Sequence, residues 1–127
     1  MLAQAELIAF IPTIDADRSR RFYVDTLGLT FIADDPFAVT IRSGATDIRI
    51  SRMESFNPAP HTILGWKVPD ITTAVDQFAA AGVIFERYPF LEQGANGVWS
   101  APDGAAKVAW FKDPDGNVLS LSQHASV

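Results

Sequence analysis

Apolar residues recur along this chain with two different periods, and the switches between them outline its elements. Leu7 to Ile14 is a continuous apolar, β-rich run and reads as a strand. Asp15 and Asp17 follow, both residue types that cap helix N-termini. Behind them Ser19, Phe22, Tyr23, Thr26 and Leu27 recur at helical spacing, while Arg18, Arg20, Arg21 and Asp25 fall off that face. Gly28 stands where a left-handed residue ends a helix. Leu29 to Ala33 and Phe37 to Arg42 then read as strands around an Asp-Asp-Pro turn. After Ser43-Gly44, the stretch Asp47 to Ser51 alternates strictly, with Ile48 and Ile50 on one side and Asp47, Arg49 and Ser51 on the other.

Glu54 to Pro60 breaks the periodicity and carries Pro58 and Pro60, so it reads as a linker. The order then repeats. His61 to Val68 is a strand, Asp70 caps a helix with the face Ile71, Ala74, Val75, Phe78 and Ala79, and Gly82 ends it. Val83 to Tyr88 reads as the next strand, Pro89 to Gly97 as a loop and Val98 to Ala101 as a short strand. Lys107 to Lys112 and Val118 to Ser122 are strands joined at Asp113-Pro114-Asp115-Gly116, where Pro second and Gly fourth suit a type I turn. Gly28 and Gly82 correspond at a spacing of about 54 residues. The pattern predicts an α+β fold of two tandem βαβββ modules. One domain, 1–127, would hold module one at about 6–53, the linker at 54–60 and module two at 61–123.

Composition narrows the function classes. The chain is acidic, with 15 Asp+Glu against 10 Lys+Arg, and has no basic cluster beyond Arg18, Arg20 and Arg21. Nucleic acid is therefore not an expected partner, because phosphate binding needs many cations on one face. There are no cysteines, which removes disulfides and thiolate metal sites. No apolar run reaches the roughly 18 residues of a membrane span, and no basic segment precedes an apolar run as in a signal peptide. A cytoplasmic location is the expectation, with neither membrane nor nucleic acid as partner.

Several segments together resemble the vicinal oxygen chelate superfamily, which includes glyoxalase I, extradiol dioxygenases, and fosfomycin and bleomycin resistance proteins. They are Thr13-Ile14-Asp15, Arg18 to Tyr23 and Leu27-Gly28-Leu29 in the first half. In the second they are Val68-Pro69-Asp70-Ile71, Gly82-Val83 and Phe111 to Asn117. The resemblance implies a half-open, barrel-like arrangement of eight strands with the helices outside, a small-molecule ligand and a homodimer. Metal-dependent members place one ligand on the first and last strand of each module. Carried over residue by residue, those positions are Ile8, Arg49, Ile63 and Ser120. Isoleucine cannot ligate, a guanidinium repels a cation, and a serine hydroxyl is a weak neutral donor. A shift of two residues would bring in His61 and Asp47, still only two ligands. The expectation is no metal and no cofactor.

Strand parity suggests what lines the cavity instead. Ile8 and Phe10 share the inward face of the first strand, His61 and Ile63 that of the fifth, and Thr40 and Arg42 that of the third. On the last strands Phe111 should oppose Leu119 and Trp110 should oppose Ser120, which brings Trp110 beside the vacated metal position. The candidate ligand-binding set is Arg49, Trp110, Ser120, Phe10, Ile8, Ile63, His61 and Arg42, with Arg49 holding a polar end and Trp110 covering a ring. Trp110 reads equally as core packing, Arg49 as a solvated strand residue and His61 as a loop residue; Trp66 reads as core and His124 as a frayed end. Two functions follow. One is metal-independent binding of a small, partly apolar or aromatic molecule, as the resemblance to bleomycin resistance proteins implies. The other is a glyoxalase- or dioxygenase-like lyase, isomerase or oxygenase using a non-standard metal set such as His61, Asp47 and Glu54. Catalytic residues are not assigned. An interaction module would instead need a large exposed apolar patch.

Overall fold

Thr13 and Asp15 turn the first strand into the first helix. The Thr13 hydroxyl accepts from the Asp15 backbone N–H and from the buried Ser19 hydroxyl at 3.0 Å. The Asp15 carboxylate caps the helix by accepting from the Arg18 N–H. The computed structural model describes residues 1–125 and divides into two compact units, one up to Asn57 and one from Pro58 onward.

The first unit runs β1 (Ile8–Thr13), α1 (Ala16–Arg20), a π-helical continuation (Arg21–Thr26), β2 (Thr30–Asp34), β3 (Ala38–Ser43) and β4 (Thr46–Arg52). Gly28, at φ +82°, closes the helix in the left-handed conformation its position predicts. The strands form one sheet in the order β1-β4-β3-β2, with β1 parallel to β4 and the rest antiparallel. Ile11, Val39, Ile41, Ile48 and Ile50 are buried with Ala16 and Tyr23 of the helical segment. The opposite face carries Ile8, Phe10, Asp47, Arg49 and Arg42, which leaves the parity read for Ile48 and Ile50 intact.

The second unit runs β5 (Thr62–Lys67), α2 (Ile71–Ala80), β6 (Trp99–Ser100), β7 (Ala106–Lys112) and β8 (Val118–His124). Its sheet, β5-β8-β7-β6, repeats the order of the first. Asp70 caps α2 through the Thr73 N–H, and Ile71 and Val75 are buried with Ala109, Phe111, Leu119 and Leu121. Phe111, fully buried, touches the rings of Phe85, Phe78 and Trp66 at centroid distances of 5.6, 6.0 and 6.5 Å. The fold is thus the two-module α+β arrangement; among the described residues eight strands are divided equally between two sheets, and each helix packs on its own sheet. Among the described residues no helix is long and apolar enough to cross a membrane.

One reading needs correction. Val83 to Tyr88 is not a strand. Phe85 makes one isolated bridge to Phe111 and the Glu86 N–H donates to the Trp110 carbonyl at 2.7 Å, but the segment then leaves the sheet. The next ladder donor, the Tyr88 N–H, is taken by the Gln93 side chain, and the edge of β7 is completed by Trp99–Ser100. Ile63 lies in a register shift between Thr62 and Leu64. A bulge of this kind resets alternation, and Gly65 is the partner of Ser120.

Candidate functional site

The second unit holds an aromatic groove on its sheet. Trp110 on β7 stands opposite Ser120 on β8, on the face away from Phe111 and Leu119. Tyr88 meets the Trp110 ring edge-to-face at 5.5 Å, Phe90 tilts against Tyr88 at 5.6 Å, and Trp99 tilts against Trp110 at 6.2 Å. A cavity of about 270 Å³ is lined by Pro60, His61, Thr62, Tyr88, Phe90, Leu91, Trp110 and Val118. A neighbouring cavity of about 340 Å³ shares Pro60, Tyr88 and Val118 and adds Lys112, whose ammonium pairs with Glu86 at 3.2 Å. The first cavity therefore has aromatic and aliphatic walls with Thr62 and His61 as polar handles, and no carboxylate or fixed cation among its lining residues. Ligand pockets commonly combine apolar walls with a few polar groups in this way.

The wall that carries Tyr88, Phe90 and Leu91 is an irregular segment tied to itself. The Gln93 amide accepts from the Tyr88 N–H at 2.8 Å and donates to the carbonyls of Glu86 and Gly97 at 3.0 and 2.7 Å. The Arg87 guanidinium donates to the Gly94 carbonyl at 2.6 Å, and Leu91 N–H closes a turn on the Tyr88 carbonyl. An irregular segment whose polar groups are satisfied internally needs no ladder.

The first unit places its predicted residues on one sheet face but commits their charges. Arg49 donates to the Thr40 hydroxyl at 3.1 Å and to Asp35 at 3.2 Å. Asp35 also accepts from the Phe37 and Ala38 N–H groups. Those two backbone donors, more than Arg49, hold its carboxyl below the usual carboxylate range. Arg42 donates to Asp47 at 2.6 Å, which lowers the Asp47 pKa and raises that of Arg42. Ile8 opposes Asp47 and Phe10 opposes Arg49, and both apolar side chains are exposed.

The structure thus joins His61 and Trp110 in one groove, pairs Trp110 with Ser120, and places Ile63 in a bulge. Sequence reasoning missed Thr62, Tyr88, Phe90, Leu91 and Gln93. The signal for three of them was the Tyr88-Pro89-Phe90-Leu91 run, an apolar cluster inside a stretch whose proline argues against a strand. A metal does not fit the positions that the resemblance assigns to ligands. Ser120 Oγ offers one neutral oxygen, and it fills the space where a Cβ on Gly65 would sit, at 2.5 Å. Among the described residues no three His, Asp or Glu side chains gather to hold an ion, and Asp47 is committed to Arg42.

The family model for the glyoxalase/bleomycin resistance protein/dioxygenase superfamily matches residues 5–121. No curated protein matches the chain. Solved structures do. A superfamily member from Sphaerobacter thermophilus DSM 20745 aligns at 24% identity and TM-score 0.74, over 98% of this chain and all of that one. TnmS3, an antibiotic binding protein from Streptomyces sp. CB03234, aligns at 21% and 0.71, over 98% of this chain and 99% of its own. A lactoylglutathione lyase from Agrobacterium tumefaciens aligns at 16% and 0.71, over 94% and 93%. At these identities the likeness is one of fold, and it extends equally to a binder and to an enzyme. With the family model spanning nearly its whole length, the chain belongs to the glyoxalase/bleomycin resistance protein/dioxygenase superfamily.

Proposed function

We propose that this protein binds a small, partly apolar or aromatic molecule without a metal, in the groove formed by Trp110, Tyr88 and Phe90. The observation that carries this reading is the continuous set of aromatic rings beside a cavity of about 270 Å³. The donor chemistry supports it, since the positions that the resemblance assigns to metal ligands carry Ile8, Arg49, Ile63 and Ser120. The fold it shares with an antibiotic binding protein is consistent with it. Trp110 and Ser120 on the second sheet, with His61 just before β5, are the ligand-facing residues. The open face of the first sheet, where Phe10 lies opposite Arg49, is a further apolar surface with its guanidinium held in place. A homodimer belongs to the same reading: Leu7, Ile8, Phe10 and Ile14 leave apolar surface exposed along β1, an edge strand.

Calorimetric titration with 2-naphthol, an uncharged bicyclic probe, tests the groove, and elemental analysis of the purified protein tests the metal. Binding of the probe by metal-free protein is expected. About one zinc, iron, nickel or manganese per chain, removable with loss of binding, would overturn the metal-independent reading.

A further inference from the structure

The aromatic wall of the groove is not part of the sheet, so something other than a β-ladder must hold it. After the Glu86 N–H donates to Trp110, the chain from Arg87 to Val98 makes no strand until Trp99. A free segment of this length would cost binding energy, because its backbone would have to be ordered when a ligand arrives. Three hydrogen bonds converge on one side chain inside it. Gln93 Oε1 accepts from the Tyr88 N–H, and Gln93 Nε2 donates to the Glu86 and Gly97 carbonyls. The backbone of Gln93 also bridges to Trp99, which anchors the residue to the sheet edge.

We propose that Gln93 is a positioning residue for ligand recognition: its amide holds Tyr88, and through Tyr88 the Phe90 ring, against Trp110, so that the groove is formed before the ligand enters. The inference rests on the binding function proposed above and adds the device that sets its affinity. The amide is suited to the task because one planar group supplies an acceptor on one side and two donors on the other. Neither a carboxylate nor an apolar side chain offers both. Gln93 need not touch the ligand, since its bonds all run to backbone of the same segment. Tyr88 and Phe90, which line the cavity, make the contacts.

Two variants separate the halves of the clamp. Gln93→Met keeps the length and loses all three bonds. Gln93→Glu keeps the acceptor for Tyr88 and loses both donors. Three quantities are read on each full-length protein: amide exchange at Tyr88, affinity for 2-naphthol, and thermal midpoint. In Gln93→Met the Tyr88 amide should exchange quickly and the probe should bind about tenfold more weakly, the equivalent of one neutral hydrogen bond of about 1.4 kcal/mol. Across wild type and both variants, affinity should follow Tyr88 protection and not the thermal midpoint. Unchanged affinity in Gln93→Met, or affinity that follows the midpoint while Tyr88 stays protected, overturns the proposal. If wild-type protein does not bind 2-naphthol, the binding reading fails first. The clamp is then judged by exchange alone, and slow exchange at Tyr88 in Gln93→Met overturns it.

Discussion

Replacing Trp110 by alanine distinguishes a groove from a core. Were Trp110 ordinary packing, its truncation would cost about 3–5 kcal/mol, as for a fully buried tryptophan. In the structure it is only half-buried, and its ring meets those of Tyr88 and Trp99. At about 0.5–1.5 kcal/mol for each aromatic pair, Trp110→Ala should lower stability by about 1–3 kcal/mol, within the roughly 5–15 kcal/mol of a typical domain. Ligand binding should suffer comparably. A planar ring laid on the indole hides about 40 Å² of its apolar surface, about 1 kcal/mol at 25 cal/mol per Å². The aromatic pair adds about 0.5–1.5 kcal/mol. Together these predict a 2-naphthol affinity about 10- to 70-fold weaker. Urea denaturation measures the first effect through a shifted midpoint at unchanged slope, and calorimetric titration measures the second. Trp110→Phe, which retains a ring, should recover most of the binding. A loss of 3–5 kcal/mol in stability with affinity within twofold of wild type would refute the reasoning and return Trp110 to the core.

Three further outcomes are expected. The Asp35 and Asp47 carboxyls are held below their usual range in the folded chain, so their stabilisation is complete above the unfolded carboxylate pKa and is lost as pH falls through the folded values. Stability should therefore decline below about pH 4, and Asp35→Asn should flatten that decline in acid titrations followed by circular dichroism. Gly116 adopts φ +89° and a Cβ there would lie 3.2 Å from Pro58 Cγ, so Gly116→Ala should cost about 1–3 kcal/mol in chemical denaturation. A loss under 0.5 kcal/mol would show that the turn relaxes freely. Phe111→Ala removes a fully buried ring touched by three others and should cost about 3–5 kcal/mol, enough to lower the thermal midpoint by many degrees.

Periodicity, caps and turn residues are local properties, and what they govern was legible without a structure. The Asp15 and Asp70 caps, the left-handed glycines at 28 and 82, the burial of Ile48 and Ile50, and the opposition of Trp110 to Ser120 all follow from neighbours a few residues apart or from a tight turn. The site was less legible. Alternation carries through a strand only until a bulge, and the shift at Ile63 moved Gly65 into line with Ser120. Charge partners separated by a turn or more, such as Asp35 with Arg49, leave no periodic signal. Most of all, the segment from Val83 to Tyr88 has strand composition, yet after the Phe85 bridge and the Glu86 bond to β7 its Tyr88 N–H goes to the Gln93 amide and not to the ladder. The sequence by itself determined the two modules. Tertiary structure decided which aromatic rings gather around Trp110, because a side-chain hydrogen bond can outcompete a ladder only where folding has brought its partners within reach.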